Sequence, residues 1–283
     1  MISETKVLAC VSHSRLAGHV ADYAAWAASR LGAPLELLHV LERHPERGAG
    51  DDRSGAIGVG AQEALLSKLS ADDESRARAL REQGRLHLGR LRERALAAGV
   101  ATVDVRQRYG NLGETVAELE ADVGLVVMGR HGDSSSTPGP DFERTVRGSR
   151  KPILTVPGTF KAPERVMIAF DGGIASRRGV EMVATSRLFR GCRMYLLMSG
   201  KETSRATSQL EWARQALESA GLEVSAALAP GNAGEVIASA VKAESIDLLV
   251  MGAYSHSPLR SMFLGRTTTE VLLSFSIPTL LMR

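Results

Sequence analysis

The sequence is short of long apolar runs, cysteine, aromatics and clustered charge, and each shortage excludes something. No apolar run approaches the ~18 residues that span a bilayer. Met1-Ile2-Ser3-Glu4-Thr5-Lys6 has no apolar stretch of the secretory kind, so a cytoplasmic protein without membrane contact is the expectation. There are only two cysteines, Cys10 and Cys192, each within or beside an apolar run. Two buried thiols in a reducing compartment are expected. No CxxC or Cys/His ligand spacing occurs, and the seven histidines are scattered, so no metal site is read here. Aromatics make up 4%, which leaves Leu, Val, Ile, Met and Ala to fill the interior. The net charge of +3 is small and spread along the chain. Without a Lys/Arg block interleaved with aromatics, nucleic-acid binding is not indicated.

What is present is an internal repeat. Gly110-Asn111-Leu112-Gly113-Glu114 recurs as Gly231-Asn232-Ala233-Gly234-Glu235, an offset of 121. Leu125-Val126-Val127-Met128-Gly129 recurs as Leu248-Leu249-Val250-Met251-Gly252, and Lys151-Pro152-Ile153-Leu154 as Ile277-Pro278-Thr279-Leu280. The opening runs, from Val7 and from Val166, match at an offset of 159. The fall from 159 to 121 locates a 38-residue insertion in the first copy, assigned to 43–80. It begins as a Gly-, Asp- and Arg-rich loop from Arg43 to Gly60. A helix follows from about Ser70, a plausible N-cap with Asp72, Asp73 and Glu74 in its first turn. Leu80, Leu88, Leu91, Ala95 and Ala98 then recur at helical spacing. Gly99 and Gly221 suit left-handed C-caps of equivalent helices.

Each copy reads β-α-β-α-β-α-β-α-β. In the first, the expected strands are Lys6–Val11, Leu35–Leu41, Thr102–Arg108, Leu125–Met128 and Ile153–Val156. In the second they are Arg165–Phe170, Met194–Met198, Glu223–Leu228, Leu248–Met251 and Thr279–Met282. Short apolar runs without strict alternation belong to strands covered on both faces. The fold class is α/β: two tandem open parallel five-stranded sheets flanked by helices, joined by right-handed crossovers. The expected domains are 1–156 and 165–283, with 157–164 as linker.

Ligands of such sheets bind beyond the carboxyl ends of the strands, at the switch in strand order. In the second copy this gathers Asp171-Gly172-Gly173, Met198-Ser199 and the stretch after the fourth strand. That stretch is Gly252-Ala253-Tyr254-Ser255, nine residues, then Gly265-Arg266-Thr267-Thr268. Gly252 and Gly265 permit close backbone approach. The helix expected after Gly265 offers free N–H groups to an anion. Arg266 adds charge, Thr267 or Thr268 a hydroxyl, and Asp171 an acceptor for a ribose hydroxyl. The plainer reading of Asp171 is a helix N-cap, and that of Arg266 a solvated charge.

The order and spacing of these residues are similar to those of the universal stress protein family, over nearly the whole chain and twice. Nucleotide-binding members carry an Asp at the end of the first strand and G-x2-G-x9-G-[S/T] after the fourth. The resemblance implies a Rossmann-like, adenine-nucleotide-hydrolase-like fold. It implies ATP or another adenine nucleotide in the second copy, with Mg²⁺ beside it. The two copies would pair through their last strands as an intramolecular pseudo-dimer, with a further homodimer open. Three positions depart from the pattern. Ser255 replaces the second Gly, Arg266 stands at the Ser/Thr position, and Ser199 replaces the apolar residue that borders the adenine. The first copy departs further: Ser12 replaces the Asp, six residues separate Gly132 from Gly139, and Pro140, Asp141 and Glu143 follow. A nucleotide is not expected there.

Nothing resembles a nucleophile elbow, and His13 beside Ser12 does not make a triad. His131 and His256 read as turn or surface residues. Asp171 is the only good candidate for a base or metal carboxylate near phosphates. A weak ATP hydrolase therefore ranks below two readings without catalysis: a regulator or ligand sensor, and an interaction scaffold without nucleotide.

Overall fold

The computed structural model describes residues 5–41, 59–130, 139–253 and 276–283. The first half runs β1 (Lys6–Cys10), α1 (Ala17–Leu31), β2 (Leu35–Leu41), α2 (Val59–Ala97), β3 (Val103–Tyr109), α3 (Leu112–Leu119), β4 (Val123–Gly129), α4 (Pro140–Gly148) and β5 (Ile153–Val156). The second runs β6 (Arg165–Ala169), α5 (Ile174–Thr185), β7 (Arg193–Ser199), α6 (Ser204–Ser219), β8 (Glu223–Ala229), α7 (Ala233–Ala243), β9 (Leu248–Gly252) and β10 (Thr279–Met282). All ten expected strands form, with ends shifted by no more than two residues.

The strands make one sheet in the order β3-β2-β1-β4-β5-β10-β9-β6-β7-β8. Within each half every pairing is parallel. The halves meet at β5 and β10, which run antiparallel with Leu154 opposite Leu280 and Thr155 opposite Thr279. The last strands of the two copies therefore pair within one chain, as the resemblance implied.

Alternation along each strand explains the two cores. Val7, Ala9 and Val11 face one layer, while Leu8 and Cys10 face the other. The first layer holds α1, α2, α5 and α6, represented by Val20, Leu88, Val180 and Leu217. The second holds α3, α4 and α7, represented by Val116, Phe142 and Ile237. Helix α1 is almost an alanine stripe (Ala17, Ala21, Ala24, Ala25, Ala27 and Ala28 are all buried), which brings it close to the sheet. Tyr23 of α1 is also buried. It meets the Phe160 ring edge-on at 4.8 Å, and its hydroxyl bonds Thr159 O and Lys161 N. The segment between β5 and β6 is thus held against the first half. Arg30 of α1 donates to Arg190 O at 3.0 Å, a second tie between the halves.

The helical insertion differs from expectation. Helix α2 begins at Val59, so Val59 and Gly60 belong to the helix rather than to the preceding loop. Ser70 lies inside it rather than at its start. The reason is intrinsic propensity: residues from Ala61 to Leu69 are mostly strong helix formers, and they carry the helix through a Ser-Ala-Asp-Asp sequence that resembles a start. Only the later part of the proposed apolar stripe reaches the sheet. Leu88, Leu91 and Ala95 are buried, whereas Leu80 is 51% exposed and Ala98 lies beyond the helix, exposed. Gly99 and Gly221 take positive φ of 90° and 80°, as a left-handed helix end requires. Among the described residues no helix is long and apolar enough to cross a membrane.

Candidate functional site

Strand order changes direction between β1 and β4 in the first half and between β6 and β9 in the second. The crevice beyond the carboxyl ends of such a strand pair is where open α/β sheets take ligands. In the second half, Ala169 pairs with Leu197 of β7 and with Met251 of β9. Asp171, two residues beyond Ala169, therefore emerges level with Ser199, two beyond Leu197, and beside Gly252, one beyond Met251. Three of the residues singled out in the sequence come together here. Ser255, Gly265, Arg266, Thr267 and Thr268 lie outside the described residues, as do His131 and His256.

The loop from β6 to α5 is built around Asp171. Its Oδ1 accepts from Gly173 N at 2.8 Å and from the Ser176 hydroxyl at 2.6 Å. The carboxylate thus closes an Asx-type turn and holds the first turn of α5. The helix's own N-cap is Gly173, which has no side chain to offer, so Asp171 stabilises the helix start without being its N-cap. Both bonds fall on Oδ1, which leaves Oδ2 without a partner among the described residues. Ser176 is buried, and its hydroxyl also lies 3.1 Å from Gly173 O. The sequence reading missed this serine. The available signal was a short hydroxyl residue in the first turn of the helix that follows Asp171.

Two glycines set the shape of the pocket wall. Gly172 has φ 72°, and a Cβ there would stand 2.4 Å from the Gln209 side chain on α6. At Gly252 a Cβ would come 3.1 Å from Ala175 Cβ, so a side chain there would push against the start of α5. Arg177 fixes the same loop from behind. It donates to Gly172 O at 3.1 Å and sits 4.5 Å above the Trp212 ring, which in turn stacks on Phe170 at 6.2 Å. Ile174, at the start of α5, is 62% exposed. Ser199 and Gly252 are half-buried. The result is a crevice with one carboxylate oxygen, a hydroxyl, a helix N-terminus and an apolar side chain on its rim.

The equivalent crevice of the first half has other chemistry. Ser12 occupies the Asp171 position, and its hydroxyl bonds Ser14 at 3.0 Å. Helix α4 starts at Pro140 with Asp141 and Glu143 in its first turn, the acidic helix start expected from the sequence. Three histidines that the sequence scatters come together beside Ser12. The ring of His13 lies 4.8 Å from that of His39 and 4.5 Å from that of His87. Burial, with the neighbouring His39 and Arg90 adding to it, holds His13 below the ordinary imidazole range. Burial and then His13 do the same for His87, against a smaller opposing pull from the Ser12 carbonyl.

Elsewhere the repeated Gly-Asn-x-Gly-Glu segments open α3 and α7. Asn111 and Asn232 cap α3 and α7 by accepting from Glu114 N and Gly234 N, with Glu114 and Glu235 in the first turns. Both cysteines are buried and free. Burial pushes the Cys10 thiol up to about 12.

A profile of the universal stress protein family matches residues 4–157 and 193–283. A universal stress protein from Synechocystis sp. is 30% identical over 284 residues, covering 98% of this chain and 99% of that protein. Among solved structures, a universal stress protein from Archaeoglobus fulgidus DSM 4304 superposes with a TM-score of 0.73. It has 16% identity, with 99% of this chain and 98% of that one covered. That likeness supports the fold alone. The profile and the full-length relative carry more, and on them the chain belongs to the universal stress protein family.

Proposed function

We propose that this protein is a cytoplasmic stress-response regulator or ligand sensor without catalytic turnover, and that its second half binds ATP or another adenine nucleotide. The observation that carries the reading is the convergence of Asp171, Ser199 and Gly252 at the switch point of β6 and β9. The Oδ2 of Asp171, which carries neither loop bond, accepts from the ribose, and Ser199 and Gly252 border the base. Ser255, Gly265, Arg266, Thr267 and Thr268 contact the phosphates, with Mg²⁺ bound with the nucleotide. Arg266 supplies by its guanidinium what a family Ser/Thr supplies by its hydroxyl. The first half does not take a nucleotide. It has no carboxylate at Ser12, and the acidic first turn of α4 repels phosphate.

The test begins with the protein as purified: denature it and assay the supernatant for adenine nucleotide, then titrate fresh protein with ATP and Mg²⁺. Saturable binding is expected, lost in Gly265→Asp and weakened in Asp171→Ala. No binding at millimolar ATP would defeat the nucleotide reading. It would favour the interaction scaffold, for which α2 speaks: it is 39 residues long against 16 for α6, its counterpart in the second half.

A further inference from the structure

We propose that two copies of this chain associate through strand β8, which pairs antiparallel with its counterpart about a two-fold axis at Ala226 and continues the sheet from one copy into the next. The ten-stranded sheet ends at β3 on one side and at β8 on the other. At the end of β8, Ala229 O accepts from Gly200 N on the β7 side. The backbone groups of successive residues in a strand point to alternate sides, so Glu223, Ser225, Ala227 and Ala229 turn theirs toward β7. The N–H and C=O groups of Val224, Ala226 and Leu228 point away from the sheet, where the strand order supplies no neighbour. An open row of this kind is a template for another strand.

The two edges are guarded differently. Strand β3 reads Val-Asp-Val-Arg-Gln-Arg-Tyr, with Asp104, Arg106 and Arg108 along it. Leu35 N bonds Thr102 O, so the carbonyl of Val103 faces outward, and Arg92 Nε donates to it at 3.0 Å. Arg81 donates to the Tyr109 hydroxyl at the other end of the strand. Charges and long side chains laid along an edge keep a second strand away. Strand β8 reads Glu-Val-Ser-Ala-Ala-Leu-Ala, with its one charge at the first residue and no Lys, Arg or Pro. Ala226 at its centre is exposed, and Val224 and Leu228 are half-buried against the layer that holds α6.

Register selects a second copy as the occupant. Among two-fold antiparallel registers, the one centred on Ala226 brings every outward residue opposite another: Ala226 meets Ala226, and Val224 meets Leu228. Each such pair exchanges both of its hydrogen bonds, so every outward N–H and C=O of both strands is satisfied. The Val224–Leu228 contacts cover apolar surface on one face of the sheet, and Ser225 falls opposite Ala227 on the other. The charge never meets its like. Glu223 falls opposite Ala229, and it lies 3.6 Å from Arg193 on β7 of its own copy. The chain already makes a joint of this kind at β5 and β10, where antiparallel pairing unites two parallel halves. The dimer repeats that joint at the outer edge of the second half.

The experiment is sedimentation velocity on the full chain, from about 1 to 100 µM. A species of twice the 30.2 kDa chain mass should grow with concentration. Ala226→Lys and Ala226→Glu each set like charges face to face across the axis, and each should weaken the dimer about tenfold or more. Mixed in equal amounts, the two variants should associate again as a mixed dimer. Ala226 is exposed, and far-ultraviolet circular dichroism checks that both variants fold. Ala226→Cys should form a disulfide between copies under mild oxidation, because such pairs hold their Cα atoms about 5.5 Å apart. The native cysteines are buried and do not compete. Val105→Lys, on the opposite edge of the sheet, should leave association unchanged. A chain that stays monomeric through about 100 µM would overturn the proposal and leave this edge to a strand of another protein. So would a dimer that both charge variants leave intact, folded charge variants that fail to associate when mixed, or a dimer lost in Val105→Lys. None of these readouts depends on whether the second half binds ATP.

Discussion

Asp171 performs two tasks on this reading, and its two oxygens allow them to be separated. Asp171→Ala removes the acceptor for Gly173 N at 2.8 Å and for the Ser176 hydroxyl at 2.6 Å. Ser176 keeps an alternative acceptor in Gly173 O at 3.1 Å, and Gly173 N is only half-buried. The loss therefore resembles that of a helix cap rather than of a buried ion pair, about 1–2 kcal/mol. At roughly 2–4 °C per kcal/mol, the melting temperature should fall by about 2–8 °C. Asp171→Asn behaves differently. Its carbonyl oxygen takes over Oδ1 and keeps both loop bonds, so the melting temperature should stay within about 2 °C of the parent. Its amide group replaces Oδ2, exchanging an acceptor for a donor. A ribose hydroxyl then loses its carboxylate partner, and ATP affinity should fall at least about tenfold, in keeping with the roughly 1.5–3 kcal/mol of a hydrogen bond to a charged group. Differential scanning fluorimetry and calorimetric ATP titration read the two effects apart. If Asn destabilises as much as Ala, or if Ala leaves the melting temperature unmoved, the assignment of Oδ1 to the loop is wrong.

Three other perturbations test the fold and its electrostatics. Leu280→Ala opens a cavity in β10, where Leu280 is fully buried opposite Leu154, and should cost about 3 kcal/mol in urea unfolding; less than about 1 would mean that the junction of the halves is loosely packed. The neutral imidazoles of His13 and His87 are favoured in the folded state, so their contribution is present above pH 6.5 and lost as pH falls below it. The urea midpoint should therefore drop between pH 7.5 and 5.5, and His87→Gln should shrink that drop. An equal drop in the variant removes the cluster as its source. Cys10, with its thiol pushed up to about 12, and Cys192, raised by burial against a partial offset from Arg30, should resist a thiol reagent in the folded protein and both react in denaturant. Rapid labelling of the native chain would contradict their burial.

Most strands were legible because they are short apolar runs, as strands buried on both faces require; the edge strand β3, with Asp104, Arg106 and Arg108, is the exception. The pairing of β5 with β10 came from the family resemblance and from both strands closing their copies. The helix start at Val59 was not legible, because Ser70-Ala71-Asp72-Asp73 imitates a cap and propensity overrode it. The site was partly legible for a similar reason. Asp171, Ser199 and Gly252 sit at strand ends, where sequence order alone predicts convergence. Ser176 lies in the first turn of α5, and its only signal was a short hydroxyl residue placed soon after Asp171. The histidines are harder still. His39 reads as one more inward residue after Leu35 and Leu37, and His87 as part of an exposed helix face. Only the β1–β2 register and the close passage of α2, at its Gly84, over His39 and Gln107 bring them to His13.

The two halves therefore diverge most where their common fold constrains them least. The strands that meet at β5 and β10 must keep packing volume and register, and Ile153, Leu154, Leu280 and Leu281 are all buried there. Residues at the carboxyl ends of β1 and β6 carry no such obligation, since the sheet ends before them. Replacing Asp171 by its counterpart Ser12 shortens a side chain without disturbing a core. It also takes away the acceptor that pins the first turn of the following helix, and the two helix starts differ accordingly. Helix α5 follows directly after Gly173, with Ser176 tied to Asp171, whereas α1 begins at Ala17, after a longer loop that carries His13. That longer loop is what lets an imidazole reach over β2, and α2 supplies the second from above. The first half thus has no carboxylate at Ser12 and gathers three imidazoles at the same crevice. A chain carrying Ser12→Asp should not regain ATP binding unless the acidic start of α4 is also neutralised. ATP binding restored to the first half by that single substitution would show that the loop and the histidines follow no such logic.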